Sequence, residues 1–273
     1  MGEATGAAGR SGTATVRGVE LAYELSGAGR SVVWGHGLSA SRAYDDEFPQ
    51  LELERLAGSC RLLRYDARGH GESGFTPDPG GYSWEELARD QLALAEVLGL
   101  GRYAAGGASM GCGTALHAAV LAPERVDALL LVIPPTAWET RRERVEIWEQ
   151  VAGIVETTST ADAFVSAMLA APTPDPLVGR AEWDARFDFA RRENPTRLAG
   201  VLRGTGRADL PARERIAEIT APALILAWSG DPTHPVSTAE QLAELLPDAE
   251  LAVAGNWEEL QTWTDRAAAF LQR

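Results

Sequence analysis

Short apolar runs recur along the chain at the intervals a strand–helix alternation produces: "SVVWGHG", "CRLLRYDARGHG", "RYAAGGAS", "DALLLVIPP", "PALILAWSGD" and "ELAVAGN". Each is nearly continuous in hydrophobicity and ends at glycine, proline, serine or a polar residue, as a strand buried on both faces does. Ahead of them, "TATVRGVELAYELSG" alternates apolar and polar residues about Gly18, the pattern of a hairpin. Between the runs the period changes. "SWEELARDQLALAEVLGL" opens with Ser83 and Glu86 in capping-box spacing and sets Leu87, Leu94, Val97 and Leu98 along one helical face. Helical patterns also run from just after Ser109 to Pro123, from Thr238 to Leu246 and from about Glu258 to Leu271. Strands and helices in this order predict an α/β fold with a mostly parallel sheet covered by helices on both faces.

Residues 134–215 break the alternation. They contain no strand-like run but several charged helical segments, the loop "APTPDPLVG", and Trp138, Trp148 and Trp183. A helical cap inserted between "IPP" and "ITAP" is expected there. The chain then divides into a mobile tail over 1–12, a core over 13–133 and 216–273, and the cap over 134–215. A chain of 273 residues with 45% hydrophobic content can bury a core of that size.

Charge narrows the partners. With 25 basic against 39 acidic residues the net charge is -14, which repels phosphate backbones and anionic membrane surfaces and predicts no nucleic-acid or membrane partner. The longest apolar runs, from Ala128 and from Ala223, fall far short of the roughly 20 residues that cross a bilayer. Two cysteines, Cys60 and Cys112, are too few for a disulfide framework, and the N-terminal stretch lacks an apolar core; a cytoplasmic protein with free thiols is expected. Cys112 reads as a small buried hydrophobe. No dinucleotide fingerprint, P-loop, HExxH or Cys/His ligand spacing occurs, so neither a cofactor nor a metal is predicted.

The chemistry concentrates in "GGASMGCG", residues 106–113, where Ser109 stands among four glycines between a strand and a helix. Gly107, Ser109 and Gly111 fit the G-x-S-x-G turn, whose glycines remove side chains that would collide with a neighbouring strand and helix. The hydroxyl is thereby exposed, and the Met110 amide at the helix start faces any oxyanion formed on an attacked carbonyl. "WGHGLSAS" would bring the Leu38 amide as a second donor. Together with "YDARGHGES" and "SGDPTHP", these motifs resemble the α/β-hydrolase fold family, and most nearly its small-molecule esterases and enol-lactonases. The resemblance covers nearly the whole chain from about residue 13. It implies an eight-stranded, mostly parallel sheet, a helical cap after the sixth strand, and a serine, acid and histidine in that order.

Asp231, just past the strand "ALILAW", occupies the acid position of that family. The histidine belongs after the last strand, and the chain has none there: Asn256 follows the glycine where relatives carry it, and Ala252 is the other alignable position. An asparagine amide cannot take a serine proton at neutral pH. Of the four histidines, His36 and His70 resemble loop braces, and His117 falls on a buried helix face. His234 sits three residues past Asp231 at the sheet's carboxyl edge. It reads equally as a relocated base or as a turn histidine before Pro235, and a third reading has the base lost outright. Substrate contacts are expected from His36, Gly37 and Trp138, although tryptophans in such an insertion also serve to glue it to the core. The expected activity is acyl-enzyme hydrolysis of a small carboxylic ester or lactone through Ser109, Asp231 and His234. The alternative is a ligand-binding or non-hydrolytic member of the fold, or a variant inactivated by loss of its base. Serine at the elbow excludes a resemblance to haloalkane dehalogenases and epoxide hydrolases, which need aspartate there.

Overall fold

A computed structural model describes residues 9–47, 50–180, 183 and 189–273. Eight strands form one sheet: β1 Arg10–Val16, β2 Val19–Gly27, β3 Ser31–Gly35, β4 Arg61–Tyr65, β5 Tyr103–Ala108, β6 Val126–Val132, β7 Ala223–Trp228 and β8 Ala249–Ala254, in the order β1-β2-β4-β3-β5-β6-β7-β8. The β1–β2 and β2–β4 pairs are antiparallel and the other five parallel. The expected mostly parallel eight-stranded sheet is therefore observed. The hairpin closes through Arg17 and Gly18, both at positive φ (47° and 79°), the two-residue turn whose twist suits antiparallel strands. Arg10 already pairs with Leu25, so β1 begins inside the stretch expected as a tail; residues 1–8 of that stretch lie outside the described residues.

The alternation of side chains along each strand divides the core into two layers. Val33, Leu63, Ala105, Leu129, Leu131 and Ile225 point to one layer, closed by α3 Trp84–Val97, α4 Met110–Leu121 and α9 Val236–Leu245. Trp34, Leu62, Ala104, Leu130, Leu226 and Trp228 point to the other, closed by α2 Leu53–Ala57 and α11 Trp263–Leu271. In α3 the Ser83 hydroxyl accepts from the Glu86 amide, the predicted cap, while Val97 turns out 60% exposed and leaves the apolar face to Leu87, Leu94 and Leu98. β8 is an edge strand with Val253 exposed, not the fully buried strand its run suggests. The last predicted helix is two, α10 Trp257–Gln261 and α11, broken at Thr262.

Between β6 and β7 the described residues hold helices and no strand: α5 Trp138–Thr158, α6 Asp162–Leu169, α7 Pro195–Arg207 and α8 Arg213–Ala217, with 3-10 turns at Asp175–Leu177, in the predicted loop, and at Ala190–Arg192. The insertion has a small core of its own, built on Trp148, Val155, Phe164, Leu198 and Leu202. The boundary expected at 215 falls inside α8. One further helix, α1 Arg42–Glu47, follows β3.

Candidate active site

Ser109 caps α4 at φ 53°, ψ −107°, a backbone conformation that serine seldom adopts. Two glycines make the turn possible. A β-carbon on Gly111 would come within 2.1 Å of the Gly35 carbonyl oxygen on β3, and one on Gly107 within 2.6 Å of that oxygen and of Gly111. Both contacts are with backbone, so no side-chain shift relieves them. The strand, the elbow and the helix are thus pressed together and Ser109 stands at their junction.

His234 meets Ser109 there. Its Nε2 lies 2.8 Å from Ser109 Oγ and its Nδ1 2.7 Å from Asp231 Oδ2, so the hydroxyl donates to one ring nitrogen and the other donates to the carboxylate. Asp231 is held in turn: Trp228 Nε1 donates to Oδ2 (2.9 Å) and the Thr233 amide to Oδ1 (2.8 Å). Burial pushes the Asp231 carboxyl up, but the neighbouring His234 ring and these hydrogen bonds outweigh it and hold the group well below the usual carboxylate range. It is therefore ionised at neutral pH. The loop carrying both residues is tied to the insertion, with the Thr136 amide donating to the Thr233 carbonyl (3.0 Å) and Arg144 to that of Pro232 (3.0 Å).

The Leu38 and Met110 amides donate to no other protein group among the described residues, and both residues line the same cavity as Ser109 and His234. Gly37 packs against the elbow, an added β-carbon lying 3.7 Å from Ser109 Cβ, and it lines the cavity too. His36 does not. It is 1% exposed, its Nε2 accepts from the Ala67 amide (2.9 Å) and its Nδ1 donates to the Gly37 carbonyl (2.7 Å), which makes it a brace under the loop rather than a substrate contact. Trp138 is also displaced from the expected role. Its Nε1 donates to Pro211 and Arg213 stacks on its ring, so it fastens the insertion, while Trp148 and Trp183 line the cavity.

The remaining positions fall into place. His70 donates to the Arg68 carbonyl (3.0 Å) and packs edge-on against His36. His117 is half-buried and donates to the Asp209 carbonyl (3.0 Å), a strap to the insertion rather than a packed core residue. Asn256 caps α10, its Oδ1 accepting from the Glu259 amide (3.0 Å), and Ala252 lies on β8 opposite Leu226. Cys112 is fully buried with its thiol on the Gly107 and Val132 carbonyls, and burial raises its pKa. Among the described residues no cluster of His, Cys, Asp or Glu could hold a metal, and no helix is long and apolar enough to cross a membrane. Two cavity residues that the sequence reading passed over, Asp45 and Arg141, are buried and ionisable; burial pushes the Asp45 carboxyl up to about 7.

The family model described as alpha/beta hydrolase fold matches residues 31–265. The chain belongs to the α/β hydrolase fold family. Among curated relatives of this α/β hydrolase, RutD of Agrobacterium fabrum, designated a carbamate hydrolase, is 30% identical over 82% of this chain and 83% of its own length. RutD of Azorhizobium caulinodans, with the same designation, is 27% identical over 85% of each. A hydrolase from Pseudomonas aeruginosa superposes with a TM-score of 0.80 at 26% identity, covering 98% of this α/β hydrolase and all of the other chain. The enol-lactonase of Burkholderia xenovorans shares the fold, at TM-score 0.76 and 23% identity over 96% and 97%.

Proposed function

We propose that this α/β hydrolase cleaves a small carboxylic ester or lactone through an acyl-enzyme on Ser109. The observation that carries the reading is the unbroken hydrogen-bond chain from Ser109 through His234 to Asp231, three residues that line one cavity. Ser109 Oγ attacks the carbonyl carbon while His234 Nε2 takes its proton, and the imidazolium so formed is stabilised by ionised Asp231. The carbonyl electron pair moves onto oxygen, where the Leu38 and Met110 amides, the second at the positive end of α4, share the charge. As the oxyanion collapses, the proton on His234 passes to the leaving alkoxide. Water then attacks the acyl-Ser109 ester with His234 again as base, releasing the acid and restoring the hydroxyl.

The relatives designated carbamate hydrolases and the enol-lactonase that shares the fold agree with chemistry at a small acyl carbonyl. The competing reading, a binding protein that had lost its base, rested on the absence of histidine after β8. His234, bonded on both sides, supports a base supplied from the loop after β7 instead, with the helical insertion as the cap over the site.

The test is fluorophosphonate labelling together with turnover of a panel of short-chain p-nitrophenyl esters and small lactones. Stoichiometric labelling at Ser109, lost in Ser109→Ala, with turnover of at least one substrate is the expected result. A folded protein that neither labels nor turns over any of the panel would overturn the proposal.

A further inference from the structure

Three arginines are buried among the described residues: Arg64, Arg68 and Arg141, each 8% exposed. Arg64 pairs with Glu24 (2.8 Å) and Asp46, and Arg68 grips both oxygens of Asp90 at 2.8 Å. Arg141, in the first turn of α5, has no ion-pair partner among the described residues. Its Nε donates to the Ala208 carbonyl (2.8 Å) and its Nη2 to that of Thr205, while Nη1 donates to none of them. The charge of Asp209 favours the protonated form of Arg141, but the Asp209 oxygens accept from the Trp138 and Leu210 amides and make no hydrogen bond to the guanidinium. Arg144, three residues further along the same helix, adds a second positive charge instead of relieving the first.

A buried cation with no carboxylate in contact with it is costly, and Asp209 offsets that cost only through its field, so an anion reaching the guanidinium would be bound there. Arg141 keeps its proton at neutral pH even though burial brings its pKa down to about 10. It also lines the cavity that holds Ser109 and His234. Its guanidinium carbon sits 4.5 Å from the ring centroid of Trp84, another cavity residue, whose Nε1–H has no acceptor. A planar cation backed by an indole face, with one amino group unspent and a second unsatisfied donor beside it, is a receptor for a planar anion.

We propose that Arg141 binds a carboxylate carried by the substrate, so that the enzyme prefers half-esters or lactones of dicarboxylic acids over their neutral counterparts. The proposal rests on the serine-hydrolase reading of the site and names its substrate class. It also fixes an orientation. Asp45 lines the cavity with its Oδ2 on Trp34 Nε1 (2.9 Å), and Trp34 belongs to the core layer on the opposite face of the sheet from that of Trp84. The substrate's charged end is thereby drawn to the Arg141 and Trp84 side of the cavity, apart from the Asp45 carboxyl, whose pKa burial pushes up to about 7.

The experiment compares kcat/KM for the p-nitrophenyl half-ester of glutaric acid with that for p-nitrophenyl pentanoate. Wild type should favour the half-ester. Arg141→Met should reduce that preference about tenfold or more, and Arg141→Lys, which keeps the charge but not the fork, should fall between. A second readout needs no turnover: in Ser109→Ala, glutarate should raise the melting temperature and glutaramide should not, and adding Arg141→Met should abolish the shift. A glutarate shift lost with Arg141 in a protein that hydrolyses neither ester would uphold the carboxylate site while the hydrolase reading fails. Hydrolysis of both esters with equal efficiency, with equal shifts from glutarate and glutaramide, would overturn the carboxylate site and leave the hydrolase reading standing. Should Arg141→Met fail to fold by far-UV circular dichroism, the lysine variant and the wild-type ester comparison decide.

Discussion

His234 Nε2 lies 2.8 Å from the hydroxyl of Ser109, a residue 125 positions earlier in the chain. The two meet because β5 and β7 both end at the carboxyl edge of the sheet with only β6 between them. A loop after β7 can therefore reach the elbow after β5 without help from β8. Placing acid and base three residues apart on one loop also frees the turn after β8 to cap a helix.

Replacing His234 by alanine should lower kcat on a p-nitrophenyl ester by about 10⁴- to 10⁶-fold while KM changes little, because the proton acceptor is lost and the cavity is not. Adding Asn256→His should recover none of this. Asn256 is exposed and its side chain holds the first turn of α10, so the second change should only cost about 1 kcal/mol of stability, read from urea unfolding. Recovery of activity in the double variant would place the base after β8 after all.

Asp231→Asn should cut kcat by about 10⁴-fold, since an amide neither fixes the ring tautomer nor stabilises the imidazolium. It should also change the acid limb of stability. The folded-state pKa of Asp231 lies below its ordinary value of 3.8, so its contribution is present above that pH and is lost as pH falls below it. Urea midpoints measured between pH 5 and pH 2.5 should fall less steeply for the variant than for wild type.

The strands, the hairpin and the elbow were legible because each depends on a local pattern: short continuous apolar runs, alternation about Gly18 at a turn, glycines around Ser109. The choice between readings of His234 was not, because it depends on which two strand ends are neighbours, and sheet order is not written in any one segment. Arg141 escaped notice for a related reason. "WETRRERVEIWEQ" reads as a solvated charged helix, and only packing against Trp84 and α7 shows that one of its arginines is inside. Trp138 misled in the other direction, since a tryptophan at the start of an insertion suits a pocket wall and a fastening equally well.

Gly111→Ala should be among the most damaging single substitutions in the chain. The new β-carbon meets the Gly35 carbonyl oxygen at 2.1 Å, and neither β3 nor α4 can retreat without breaking the sheet. A loss of about 3 kcal/mol or more, or failure to express in soluble form, is expected. Gly101→Ala, where nothing lies within 4 Å, serves as the control and should melt within about 2 °C of wild type.

His70 supplies the last test, because it acts in a pH window of its own. Burial, then the adjacent His36, lowers its pKa from 6.5 to about 3, and its Nε2 has no partner. The folded state thus refuses a proton that the unfolded state accepts below pH 6.5. Where the unfolded chain binds more protons, stability rises with pH, so it should decline as pH falls from 6.5 towards 3, at up to about 1.4 kcal/mol per pH unit from this one group. Burial lowers the His36 pKa as well and adds to the slope. Urea midpoints at pH 7, 5.5 and 4.5 should therefore step downward in wild type and step less in His70→Gln. This decline sets in well above the range in which Asp231 takes up its proton, so the two variants separate the two causes. Midpoints in wild type that stay level from pH 7 to 4.5 would show that the ring takes up its proton without unfolding.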